Sequence, residues 1–294
     1  TAYPETGTAS ELPDRIIQVW NSGSPSSWYV DGTLGSDTTG NGSSGNPWAT
    51  LDKACQEATG GDTIYIRDGT YALPSNSGYA FTKFVNFMPD GEDAVVIDAG
   101  SSGTYSTLRS SYMKFIGLEF LITTDSVPFI GAPSAAVHHF WWHQCDLIGY
   151  GRNEAANVTP CLRLADVQHV TVTECLGTDA GNTLTFGGSI SDGEGHLIFR
   201  GNDIHHNTAD MMEYNGSYIL ISGNEEHTPT KPGGPIQHAS HLQSNMGANN
   251  VIIRNNLLWN GKDQGNKWGG FDGPTGQWHG FDGAEYQTFD HIAL

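Results

Sequence analysis

The chain has 294 residues, with 13 Lys and Arg against 32 Asp and Glu, a formal net charge of −19 and a pI near 4.7. A balance this acidic argues against nucleic acid, anionic membranes and any broad polyanion-binding face, although a metal or a few local cations can offset the field at one place. No apolar run of about 20 residues occurs, so no membrane-inserted segment is expected, and 38 glycines point to many turns.

Residues 1–27 read as an N-terminal extension, with IIQVW (16–20) as a candidate strand, and residues 28–294 read as one domain. Pro47 stands just before a run from Thr50 to Ala58 whose apolar positions Leu51, Ala54, Cys55 and Ala58 follow helical spacing; Gly60 and Gly61 stop it. Asp31 and Asp37 lie in the Gly-rich loop before this helix, where they serve either the turns or a calcium ion.

Further along, one motif keeps returning: an apolar strand, then Cys or Asn, then a turn. It reads FWWHQC to Cys145, VTVTEC to Cys175, HLIFRGN to Asn202, YILISGN to Asn224 and VIIRNN to Asn256, at intervals of 22 to 32 residues. A fixed core with elastic intervals is the pattern of a solenoid with loops between its coils. Val170, Val172, Ile219, Ile221, Val251 and Ile253 favour strand. Each copy is too short to stand alone, so stacking on the next copy must bury it. The terminal Asn residues are expected to form one buried column, each bonding its turn and its neighbour. Cys145 and Cys175 fall in that column as small buried thiols, close enough for a disulfide but more simply read as free. The four cysteines show no metal-binding spacing.

A solenoid must place its chemistry on outward side chains and on the loops between coils. ADMME (209–213) precedes one motif and ASHLQ (239–243) the next, which sets Met212 over Leu242 and Glu213 over Gln243. Strand alternation then puts Glu213, His241 and Gln243 outward, with Arg163 of CLRL (161–164) on the same face. This face offers a carboxylate, an imidazole, a guanidinium and an amide. Asp210 and His238 stand at the turns entering it, and Lys231 lies on the Pro/Gly-rich loop 227–237. The candidate catalytic residues are His241, Arg163, Glu213 and Lys231. The substrate-binding candidates are His238 and Gln243, and Asp210 with Glu213 forms a candidate calcium pair.

A second polar group repeats after the Asn positions: Asp203, His205 and His206, then Glu225, Glu226 and His227, read as solvated turn residues or as ligands that need a cation. The tail carries WGGFDG from Trp268 and WHGFDG from Trp278, a candidate sugar-stacking platform or a loop packing its own aromatics. The chain ends FDHIAL, which looks like a further apolar strand with no cap after it, so a longer protein or a covering partner is expected there.

With the motif repeats, residues 28–71 (WYVDGTLGSDTTGNGSSGNPWATLDKACQEATGGDTIYIRDGTY) resemble the N-terminal end of right-handed parallel β-helix proteins of the pectin-lyase-like superfamily. The resemblance spans roughly residues 28–260. It implies an all-β, right-handed parallel β-helix solenoid with a short N-terminal capping helix, and an extracellular or cell- or virion-surface location. It also implies carbohydrate chemistry. Lyases of this fold take a proton α to a uronic carboxylate with a basic residue, often with calcium neutralising that carboxylate. Lys231, Arg163 or His241 would fill the basic role here. The polygalacturonase segments (N-T-D, D-D, G-H-G, R-I-K) are absent. Two functional classes follow. One is a polysaccharide lyase or hydrolase acting on an acidic polysaccharide. The other is a non-catalytic module of a spike, adhesin or filament that binds surface glycans or self-associates through its ends or sides.

Overall fold

The computed structural model describes residues 24–74, 79–98, 108–121, 137–149, 162–164, 167–178, 184–186, 196–206, 212–214, 217–227, 242–244, 249–259, 271–272, 277–278 and 287–290. Among these, each apolar motif pairs in parallel with the next copy. Phe140, Val170, Leu197, Ile219 and Val251 fall in one register column, and Trp142, Val172, Phe199, Ile221 and Ile253 in the next but one. Both columns point inward and are buried. The residues between them are outward, as a period of two requires.

The strands sort into three parallel sheets. The first has ten strands, from Ser27–Val30 to Gln287–Asp290. The second has eight, from Gly69–Ala72 to Leu257–Trp259. The third has four: Leu162–Leu164, Leu184–Phe186, Met212–Tyr214 and Leu242–Ser244. A coil visits the third, first and second sheets in that order, as in Leu162–Leu164, Gln168–Thr173 and Leu176–Thr178, then returns one rung further along. This is the right-handed parallel β-helix expected from the sequence. One core runs the length of the stack, with Phe87, Phe115 and Trp142 at ring separations of 5.1 and 5.6 Å. Burying each such side chain contributes about 1.5–3 kcal/mol.

The helix is Leu51–Glu57, one residue shorter at each end than its apolar run. Thr50 caps it by accepting from Lys53 N–H, and Leu51, Ala54 and Cys55 face the core. It closes the N-terminal end of the stack as anticipated. Beside it, Asp62 accepts from the N–H groups of Ser26 and Thr59 and from Trp28 Nε1. Burial alone would raise this carboxyl's pKa; the hydrogen bonds outweigh it and hold the group below its ordinary value. Further along, Gln287–Asp290 adds to Asn249–Arg254 in parallel; of the expected FDHIAL strand, Phe289 and Asp290 belong to it, and residues 291–294 lie outside the described residues.

The turn between the first and second sheets carries the column read from the sequence. Asn202 Nδ2 donates to Asn224 Oδ1 at 2.8 Å, and Asn224 Nδ2 to Asn256 Oδ1 at 2.9 Å. Each carboxamide also binds main chain: Asn224 Nδ2 reaches Phe199 O, and Asn224 Oδ1 accepts Asn202 N–H. The ladder continues into thiols, with Cys175 N–H donating to Asn202 Oδ1 and Cys145 N–H to Cys175 Sγ at 3.4 Å. Cys145 and Cys175 are free and buried. The residue before each column member takes the left-handed conformation: Gln144, Glu174, Gly201, Gly223 and Asn255 have φ of 53 to 67°. Glycine takes it without strain, and Asn with little.

Candidate functional site

The third sheet fixes the first candidate site. Its registers are Arg163↔Thr185, Thr185↔Glu213 and Glu213↔Gln243. The expected alignment of Met212 over Leu242 and Glu213 over Gln243 therefore holds, and Thr185 fills the rung between Arg163 and Glu213. Leu162 and Met212, the preceding residues in their strands, are fully buried. Adjacent rungs lie about 4.8 Å apart, so the four backbone positions span about 15 Å along the axis. His241, His238, Asp210, Lys231 and Trp268 lie outside the described residues. Trp278 lies on the strand Gln277–Trp278, which pairs antiparallel with Phe271–Asp272 and sets Trp278 opposite Phe271 of the first tail repeat; the remaining residues of the second repeat lie outside the described residues.

The second polar group sits on the second sheet. Asp203 is in register with Glu225, and His205 with His227, as the repeated spacing indicated. Earlier rungs place Glu119 beside Asp146, whose pKa burial raises. Thr178 Oγ1 lies 3.3 Å from His205 Nδ1, and His205 Nδ1 lies 2.6 Å from His206 Nδ1. Glu226 departs from the expected solvated group. It pairs with Ile204, in the core column of Ile97, Phe120 and Leu147, and is fully buried. Burial holds its carboxyl well above the ordinary carboxylate range.

A third constellation escaped the motif reading. One residue ahead of each apolar run, Tyr112, His139, His169, His196 and Tyr218 all take the left-handed conformation, with φ between 52 and 62°. Their rings stack at 4.5, 4.3, 4.8 and 5.0 Å in succession. His138 packs edge-on against His139, with its Nδ1 2.7 Å from the Nδ1 of that ring. Burial first, then the neighbouring imidazoles of His169, His138 and His196, lowers the His139 pKa to about 4. The signal was present: His139, His169, His196 and Tyr218 each stand six residues before a column Cys or Asn.

The N-terminal carboxylates serve the turns. Asp31 Oδ1 accepts from Thr33 and Leu34 N–H, and Asp31 Oδ2 from Arg67 Nη1. Asp37 accepts from the N–H groups of Ala49 and Thr50 and from Thr50 Oγ1. Among the described residues no three His, Cys, Asp or Glu side chains converge as a metal site, and no helix is long and apolar enough to cross a membrane.

No family model and no curated protein sequence matches the chain. Solved structures do match by shape. A pectate lyase superposes with a TM-score of 0.60 at 15% identity, covering 92% of this chain and 78% of the enzyme. The glycoside hydrolase family 136 lacto-N-biosidase from Eubacterium ramulus matches with a TM-score of 0.60 at 10% identity, covering 90% of this chain and 57% of the enzyme's. The chain thus spans little more than half the length of that hydrolase. The fold this chain shares with them is the parallel β-helix.

Proposed function

We propose that the protein is an extracellular carbohydrate-active enzyme, a polysaccharide lyase or hydrolase acting on an acidic polysaccharide, with its site on the outer side of the third sheet. One observation carries this reading: Arg163, Thr185, Glu213 and Gln243 occupy a single register column over four consecutive rungs. That column joins a guanidinium, a hydroxyl, a carboxylate and an amide along a line that an extended sugar chain can follow.

In this reading Arg163 neutralises a uronate carboxylate, which acidifies the neighbouring C–H. His241, one residue before the strand Leu242–Ser244, takes the proton; its reference pKa near 6.5 suits neutral pH. Lys231 is the alternative base on the loop above. Gln243, His238 and the tryptophans Trp268 and Trp278 hold the flanking sugars. Glu213 with Asp210 is the kind of carboxylate pair that binds calcium, which when bound would share in neutralising the substrate.

His241→Ala is expected to abolish release of unsaturated products from a uronic-acid polymer, with the melting temperature nearly unchanged. Products with new reducing ends and no unsaturation assign a hydrolase instead. No turnover of a broad polysaccharide panel leaves the non-catalytic, glycan-binding module as the better reading.

A further inference from the structure

The outer face of the first sheet is chemically unlike the rest of this acidic chain. Two outward columns run along it. One holds Lys114, Trp141, Thr171, Ile198, Leu220 and Ile252; the other holds His143, Thr173, Arg200, Ser222 and Arg254. From Lys114 to Arg254 neither column contains Asp or Glu, in a protein with 32 acidic residues. Asp290 follows Arg254 on the next rung and ends the strip. In the adjoining row of turns, Glu174 is engaged by Gln144 Nε2 at 3.0 Å.

Among the described residues no carboxylate pairs with a cation on this face. The ion pairs among the described residues belong to Lys53 and Arg67, at the N-terminal end. Lys114 instead lies over the Trp141 ring, its Nζ 3.5 Å from the centroid. Trp141 Nε1 donates to Thr173 Oγ1, which also contacts His143 Nδ1 at 3.0 Å. That fixes an aromatic and a cation at one end of the strip. Arg200 is exposed, and Arg254 is half-buried with its Nε enclosed and lacking a hydrogen-bond partner. A buried guanidinium N–H without a partner costs free energy that a bound acceptor would recover. His143, Arg200 and Arg254 are spaced two rungs apart, roughly 10 Å at each step. Ile198, Leu220 and Ile252 form an apolar stripe alongside, and Ile252 is 45% exposed.

We infer that this face is a second carbohydrate-binding surface, separate from the third-sheet site, which holds an acidic polysaccharide along the axis of the stack. Carboxylates of the polymer pair with Arg200 and Arg254, and the apolar faces of its sugars lie on Ile198, Leu220 and Ile252. Arginine suits the task because its planar fork matches a carboxylate in bidentate geometry. The surface shares the acidic-polysaccharide class with the proposed activity but uses none of its residues.

Full-length protein would be titrated with labelled polygalacturonate, neutral galactan and double-stranded DNA across a salt series. Wild type is expected to bind polygalacturonate, less tightly as salt rises, and to bind galactan and DNA weakly. Arg200→Ser combined with Arg254→Ser should raise the polygalacturonate Kd at least about tenfold, without lowering the melting temperature. Arg109→Ser, an exposed cation elsewhere, should change nothing. Equal affinity of wild type and double variant overturns the proposal, as does galactan or DNA binding as tight as that of polygalacturonate. His241→Ala should retain polymer binding. Catalysis without this binding sinks the surface alone, and binding without catalysis sinks the proposed activity alone.

Discussion

Two ladders flank the first sheet, and both are built on left-handed residues repeated rung after rung. The ladder of Asn202, Asn224 and Asn256 is buried and held by hydrogen bonds in which Asn202 and Asn224 each use both amide N–H groups and the oxygen. The ladder of Tyr112, His139, His169, His196 and Tyr218 is partly exposed and held by ring stacking. An amide has a donor and an acceptor at once, so identical amides satisfy one another indefinitely along an axis. Within the imidazole ladder, burial first and then the neighbouring rings disfavour charge on His139. One column is therefore indifferent to pH, and the other reports it.

The sharpest break in this comparison is Asn224→Ala. It removes the acceptor of Asn202 N–H and the donor to Phe199 C=O and to Asn256 Oδ1 in a buried column, and should cost about 1–3 kcal/mol in denaturant unfolding, equally at pH 5 and pH 7. If the cost varies with pH or vanishes, the amide column does not hold the turns.

The imidazole ladder should show the opposite behaviour. Because His139 is held at about 4 against an ordinary 6.5, the unfolded chain takes up a proton across this window and the folded chain does not. Stability is full above about pH 6.5 and falls as pH drops toward 4, by about 1 kcal/mol once solvent screening is allowed for. His139→Phe keeps the stack and should flatten this slope in melting curves taken from pH 4 to 7.

Glu226 acts in the reverse direction. Its folded pKa is raised by burial above the ordinary 4.5, so the folded state keeps a proton that the unfolded state releases. Its contribution is greatest at low pH and is lost as pH climbs from about 4.5 toward the raised value. Glu226→Gln should remove that loss, leaving the acid-side slope of His139 exposed in the same titration.

The smallest effect is expected where the amide ladder passes into thiols. Cys175→Ala removes the Sγ that accepts Cys145 N–H at 3.4 Å. Sulfur is a weak acceptor and the lost volume is small, so the cost should be about 1 kcal/mol or less. A penalty matching that of Asn224→Ala would mean that sulfur and amide rungs are equivalent.

The repeated strand, the Asn column, the short N-terminal helix and the register of Glu213 over Gln243 were all legible in the sequence. Each follows from a strictly local rule: a period of two, a turn-forming amide, or helical spacing before Gly60 and Gly61. Alignment on the column residues carried those rules from one coil to the next, because a stack of identical rungs has nearly one-dimensional order. The tertiary structure decided what depends on the direction of a side chain across the stack. Glu225 and Glu226 are neighbours of one residue type, yet the pleat sends Glu226 into the core and leaves Glu225 partly exposed. His139, His169 and His196 lie 27 to 30 residues apart in the chain, and only the coil brings their rings to within 5 Å. The strip from Lys114 to Arg254 likewise has no sequence signature, since its cations come from different coils and share a face only once the rungs are in register.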